Sequence, residues 1–142
     1  QVQNILKREK KNKINSKIKL IKFFSTINKI KKKLLKKLDI IKKQDKIIHG
    51  YGASTKGNVL LQYFGIGKKY IDYIAERNEN KFDLYTPGTN IKIISENESR
   101  NKKPDYYLVL PWHFKNQILK RESMMRKKGV KFIFPLPNIK VN

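Results

Sequence analysis

The apolar positions of this chain change their period several times, and each change marks an element. They first fall at Ile14, Ile18, Ile21, Phe24, Ile27, Ile30, Leu34, Leu38 and Ile41. Steps of three or four predict one amphipathic helix, with a possible break near Ser25-Thr26. Its lysines fall largely on the opposite face. Residues 1 to 13 carry too little apolar surface to fold alone, and fraying is expected there. Ile47 and Ile48 then lead into a glycine-rich turn, Gly50-Tyr51-Gly52-Ala53-Ser54-Thr55-Lys56-Gly57-Asn58. Val59, Leu60, Tyr63 and Phe64 recur at helical spacing, which predicts a helix from about Thr55 to Phe64, closed at Gly65-Ile66-Gly67.

Beyond it, Tyr70 to Ala75 reads as a strand running into the polar cluster Glu76-Arg77-Asn78. Tyr85-Thr86-Pro87-Gly88-Thr89 is a turn, because proline fixes its first corner and glycine accepts its second. Ile91 to Ile94 reads as a short strand and Ser95 to Lys103 as a polar loop. Tyr106 to Leu110 is an unbroken apolar run, the signature of a strand covered on both faces. Pro111-Trp112-His113-Phe114 follows, then a helix from about Lys115 to Lys128 ending at Gly129, and a last strand, Val130 to Phe134, closed by Pro135-Leu136-Pro137. Strands alternating with helices predict an α/β fold, a three-layer, mostly parallel sheet preceded by a basic amphipathic helix. The chain divides into a helical extension, residues 1–45, and an α/β domain, residues 46–142. Ligands of such a sheet bind at the carboxyl ends of its strands. That edge gathers Gly50 to Asn58, Glu76 to Asn78, Trp112-His113 and, as a further candidate, Pro135 to Asn138.

The net charge of +23 changes this picture less than its size suggests. It comes from 29 lysines and only 5 arginines, amid many isoleucines and asparagines, the bias of an A/T-rich coding sequence. Arginine, favoured for bidentate phosphate and base contacts, is the scarce residue. Nucleic acid is therefore not the expected partner, although the basic helix leaves a nucleic-acid or membrane interaction protein as one alternative. The excess is also local, since residues 1–46 carry 17 basic and 3 acidic groups. The absence of cysteine excludes disulfides, thiolate zinc sites and cysteine nucleophiles from this chain and fits a reducing cytoplasm. No apolar run approaches the roughly 18 to 20 residues a membrane span needs.

The candidate chemistry centres on the glycine turn. Gly50 and Gly52 would let an anion approach the main chain, and the first amides of the following helix would face it. The spacing Gly-x-Gly-x-x-x-x-Gly is longer than the dinucleotide fingerprint and lacks the ending of a P-loop. Glu76, 19 residues after Gly57, stands roughly where a ribose-binding acid belongs, which keeps an NAD(P)-binding module as an alternative. Glu76 would otherwise pair with a neighbouring lysine. Ser54 or Thr55 would donate to phosphate or cap the helix. Trp112 would stack on a ligand or cover the sheet edge. His113, at the crevice edge, is the one candidate base, because histidine is the side-chain type suited to proton transfer near neutrality, though no partner for it is visible. His49 and the tyrosines 51, 63, 106 and 107 are read as interior. No metal site is expected.

Four ordered segments, HGYGASTKGNVLLQYFGI, IAERNENKFDLYTPGT, KPDYYLVLPWHF and GVKFIFPLP, together resemble the C-terminal, Rossmann-like domain of the SAM-dependent sugar C-methyltransferases that act on nucleotide-linked deoxysugars. The resemblance spans about residues 35 to 140. It implies that zinc and SAM belong to two preceding domains that this chain lacks, in cis or in trans. It implies further that this domain faces the nucleotide-diphosphate sugar and does not methylate alone. In that setting the amides of Gly52 to Gly57, Lys56 as a point charge, and Asn58 are the expected diphosphate ligands. The chain begins at Gln1 rather than methionine, so a piece of a longer enzyme is expected, with a stand-alone relative as the alternative.

Overall fold

A six-stranded sheet in the order β3-β2-β1-β4-β5-β6 organises the molecule. The computed structural model describes residues 1–12 and 16–142; Ile14, the first position of the predicted helical stripe, lies outside them. Its elements are α1 (Val2–Lys11), α2 (Lys17–Lys42), β1 (Ile48–Tyr51), α3 (Thr55–Phe64), β2 (Ile74–Glu76), β3 (Ile93–Ser95), α4 (Glu96–Asn101), β4 (Tyr106–Val109), α5 (Lys115–Arg121), α6 (Ser123–Lys127), β5 (Lys131–Phe134) and β6 (Lys140–Val141). Short 3-10 turns occupy Glu79–Lys81 and Trp112–Phe114. Strands β1 to β5 are mutually parallel, and β6 alone runs antiparallel, against β5. This is the α/β, three-layer, mostly parallel fold that the alternation of strands and helices predicts.

Side chains leave a strand on alternate faces, so each strand feeds two cores. Ile48 of β1, Leu108 of β4 and Ile133 of β5 join the core under α2 and α3, with Leu34, Leu38, Leu61 and Phe64. Their neighbours Tyr51, Tyr107, Val109, Phe132 and Phe134 enter the opposite core, under Ile118 of α5 and Met125 of α6. Leu34 and Leu38 are fully buried, and burial of each contributes about 1.5–3 kcal/mol. The core thus runs across the boundary at residue 45 and ties α2 to the sheet.

Helix α2 runs unbroken through Ser25-Thr26. Ser16 caps it by accepting from the Lys19 amide at 3.3 Å, and the Thr26 hydroxyl donates to the Lys22 carbonyl one turn back at 2.9 Å. That bond satisfies the hydroxyl inside the helix and removes the reason to break there. The apolar stripe is continuous, but only its second half, Ile30 to Ile41, is buried. Residues 2–11, where fraying is expected, form α1, none of whose residues is buried.

Four other expectations are corrected. The strand placed at Tyr70 to Ala75 is shorter, Ile74–Glu76, because Tyr70 and Ile71 are buried in a turn instead. The strand at Ile91 to Ile94 is Ile93–Ser95. The stretch read as a loop from Ser95 contains α4, capped by Ser95, which accepts from the Glu98 amide at 3.0 Å. The helix from Lys115 divides at Glu122 into α5 and α6, because the Glu122 side chain is drawn into the interior.

Candidate functional site

The carboxyl ends of β1 to β4 enclose a cleft of about 500 Å³. Tyr51, Gly52, Ala53 and Ser54 come from the end of β1 and the turn after it, Glu76 from the end of β2 with Arg77 just beyond, Glu96 from the start of α4 and Pro111 from beyond β4, while Phe114, Gln117 and Arg121 close it from the far side. The glycine turn forms one wall through two close approaches. Gly52 has φ +79°, and a Cβ there would sit 2.9 Å from Pro111 Cγ. Gly57 brings α3 so near the sheet that a Cβ would lie 2.5 Å from Leu110 Cβ. Neither position accepts a side chain without moving its neighbour.

The amides of this turn are mostly committed to the protein. Gly52 N–H donates to the Ala75 carbonyl, Ser54 N–H to the Gly52 carbonyl and Asn58 N–H to the Ser54 carbonyl. Ala53 N–H donates to Glu76 Oε2 at 2.7 Å. Gly57 N–H donates to Ser54 Oγ at 3.1 Å, so Ser54 is a helix cap. Only the amides of Thr55 and Lys56 lack a partner among the described residues of the turn. Gly50 lies buried within β1, paired with Ile74 and Leu108, and does not line the cleft.

Glu76 is likewise saturated. Its Oε1 accepts from the Arg77 and Asn78 amides at 2.7 and 3.0 Å, and its Oε2 accepts from Ala53 N–H. Lys81 Nζ stands 3.6 Å from Oε2 and donates to the Ala53 carbonyl at 2.9 Å. A carboxylate offers about four acceptor positions, and here three are filled by backbone amides, with the Lys81 ion pair beside Oε2. Partial burial raises the Glu76 pKa, but the three amides and Lys81 outweigh it and leave the carboxyl below its usual range. Glu76 is therefore the clamp that holds the glycine turn to β2, with both of its oxygens already engaged by backbone amides.

The floor of the cleft is a charged network that sequence reading missed. Tyr51 Oη donates to Glu122 Oε1 at 2.7 Å, and Arg121 Nη2 donates to Tyr51 Oη. Arg121 also donates to Glu96 Oε1 at 2.8 Å. Arg100 bridges Glu96 Oε2 at 3.1 Å and both oxygens of Glu122 at 3.0 and 3.2 Å. Glu122 is only 2% exposed, an ionised group held inside by two guanidinium groups. Burial drives the Tyr51 phenol well above its ordinary pKa; Arg121 opposes this, and Glu122 reinforces it. One signal was available, since three of the five arginines, Arg77, Arg100 and Arg121, meet at this one edge.

The residues singled out from sequence therefore separate. Gly52, Ser54 and Glu76 line the cleft, while Lys56 and Trp112 line a different, apolar groove between α2 and α3. Thr55 is exposed. Asn58 does not line the cleft, and its Oδ1 is buried without a partner among the described residues. His113 is exposed beside Phe114, ring centroids 4.2 Å apart, and is absent from the cleft wall. Tyr63 is 45% exposed rather than interior. His49 is interior, its Nδ1 sharing a hydrogen bond with Ser99 Oγ at 2.8 Å, and Ser99 Oγ in turn one with Tyr107 Oη at 2.8 Å.

The groups that remain free in the cleft are Arg77, Gln117 and Phe114. Neither the Arg77 guanidinium nor the Gln117 amide has a side-chain partner among the described residues, and both are exposed, as is Phe114. A fixed wall with a cation, an amide and an aromatic ring facing inward suits an anionic ligand bearing a ring and hydroxyl groups. The donor set does not suit zinc: cysteine is lacking, and no cluster of three His, Asp or Glu groups that could hold a metal occurs among the described residues. No helix among the described residues is long and apolar enough to cross a membrane.

Known proteins match this chain in two ways. The family model described as the C-methyltransferase C-terminal domain matches residues 1–137, so the match takes in α1 and α2 as well as the sheet. A curated relative, the C-methyltransferase NovU of Streptomyces niveus, is 35% identical over 96 residues, which are 68% of this chain and 23% of the relative. The chain thus spans about a quarter of that relative's length.

Proposed function

The chain belongs to the C-methyltransferase C-terminal domain family, and from that premise we propose that it is the nucleotide-sugar-facing domain of a cytoplasmic, SAM-dependent C-methyltransferase. The observation that carries this reading is the division of the cleft into committed and free groups. Glu76, Glu96, Tyr51, Arg121 and Glu122 are occupied with one another or with the backbone. Arg77, Gln117 and Phe114 remain to meet a ligand. Arg77 would pair with the diphosphate as a charge-assisted donor, aided by the free Thr55 amide at the start of α3. Phe114 offers a face for a ring, and Gln117 an amide for hydroxyl groups.

The chemistry of such an enzyme needs a methyl donor and a sugar carbon made nucleophilic beside a carbonyl. SAM would supply the methyl group from one preceding domain, and zinc would reside in another. In this chain the residues bind and orient. His113, outside the cleft wall, is not assigned as the base. The isolated chain should therefore bind a nucleotide diphosphate without transferring a methyl group.

Calorimetric titration with dTDP, NAD and SAM at two salt concentrations tests this reading. Preference for dTDP, lost in Arg77→Ala and retained in Lys56→Ala, is the expected result. Preference for NAD would move the assignment to a dinucleotide-binding module, and methyl transfer by the purified chain would overturn the division of labour between domains.

A further inference from the structure

An apolar concavity lies on the other side of α3 from the cleft. It is a groove of about 240 Å³ between α2 and α3, lined by Phe23, Phe24 and Ile27 from α2 and by Val59 and Tyr63 from α3, with Trp112 at its end. Its walls are apolar side chains left in solvent: Phe23 is 58% exposed, Phe24 53% and Val59 64%. The exposure continues along α2 through Ile18 and Ile21, the half of the helical stripe without a partner. Large apolar side chains exposed together on one face mark a surface that is covered when the protein works. Among the residues lining the groove, Lys56 is the one that carries a cation.

We propose that this groove receives an acidic amphipathic helix of a partner domain or protein, its apolar ridge between α2 and α3 and one of its carboxylates on Lys56. Three observations select this occupant. Shape comes first: three elements enclose a concave slot that fits a convex helical ridge, whereas a bilayer presents a flat surface. The exposed stretch of α2 from Lys17 to Thr26 is 10 residues, about 15 Å, the length of a three-turn helix. Charge comes second. The chain carries +23, of which residues 1–46 hold 17 basic and 3 acidic groups, so a second copy would bring like charge against like. Helix α1 of the same chain is basic too and is disfavoured for the same reason. Third is the position of Lys56, an exposed cationic side chain at the edge of the apolar slot and away from the cleft. The proposal does not depend on what the cleft binds.

Trp112 is the only tryptophan of the chain, and it lines the groove, so its emission reports occupancy directly. The test titrates the full chain with a synthetic helical peptide of leucines at three- and four-residue spacing and glutamates elsewhere, and with a matched peptide carrying lysines for glutamates. The expected result is a saturable blue shift of Trp112 emission with the glutamate peptide alone. Val59→Asp, a change at an exposed position that leaves the core intact, should weaken binding at least about tenfold. Lys56→Glu should weaken the glutamate peptide about fivefold and improve the lysine peptide. Equal response to both peptides would overturn the proposal. So would a shift produced by anionic phospholipid vesicles but not by peptide, or a dimer in sedimentation whose formation itself shifts Trp112.

Discussion

Helix α3 separates two hollows of opposite character. The cleft on one side is built from ionised groups that occupy one another, so its wall keeps its shape before any ligand arrives. The groove on the other side is built from apolar side chains with nothing yet against them. A polar site must be preorganised, because an unpaired buried charge is costly. An apolar one can stay open at the surface and gain its energy only when covered. The two also differ in what a substitution would remove: in the cleft, a committed partner whose loss is felt by the fold; in the groove, a surface whose loss is felt only by a partner.

The largest effect is expected at the cleft floor. Glu122→Ala leaves Arg100, Arg121 and Tyr51 without their buried acceptor and should cost about 3–5 kcal/mol in urea unfolding. An equal loss from Val59→Asp in the groove would break the contrast between the two sites.

A second effect separates the two faces of the sheet by pH. Burial, opposed by Asp72 and reinforced by Lys102 and Lys42, pushes the His49 pKa down from 6.5 to about 4. Between these values the unfolded chain binds a proton that the folded chain refuses, so stability is full above pH 6.5 and falls as pH drops toward 4. The loss is on the order of 3 kcal/mol. The urea midpoint measured against pH should show this slope, and His49→Gln should flatten it. The Glu76 carboxyl, held below its usual range, adds a further loss at lower pH, where its unfolded form protonates first.

Gly57→Ala acts on both hollows at once. Its Cβ would stand 2.5 Å from Leu110 Cβ and 2.9 Å from Ser54 Oγ, so α3 must lift from the sheet, at about 1–3 kcal/mol. A lowered urea midpoint together with altered Trp112 emission would show that α3 is the shared wall. The smallest effect on stability is expected for Arg77→Ala, within about 0.5 kcal/mol, with dTDP affinity falling about tenfold. A stability loss as large as that of Glu122→Ala would mean that Arg77 belongs to the fixed wall.

The elements most legible in the sequence are those whose signals are local. Val59, Leu60, Tyr63 and Phe64 gave α3 its period and Gly65 its end, as found. The unbroken run at Tyr106 marked β4, which is buried as such a run requires. Helix α4 was legible too, because Ser95 and Glu98 have the spacing of a capping box, a signal outweighed by the polarity of the stretch. The break at Glu122 had no local signal, since its cause is a contact with Tyr51, 71 residues away. The candidate site was legible only in outline. The glycine turn and Glu76 were found, but their assigned roles assumed free amides and a free carboxylate, and those groups bind each other across 23 residues.

The sequence by itself determined the alternation of strands and helices, the edge where a cleft forms and the family, because periodicity and turn chemistry are properties of neighbouring residues. Only the tertiary structure decided which polar groups are committed and which are free. It moved Lys56 and Trp112 to the groove, drew Arg121 and Glu122 to the floor of the cleft, and left half of α2 bare. The physical reason is that a hydrogen bond or an ion pair is satisfied by whichever partner folding brings within about 3 Å, and separation along the chain does not say which partner that is.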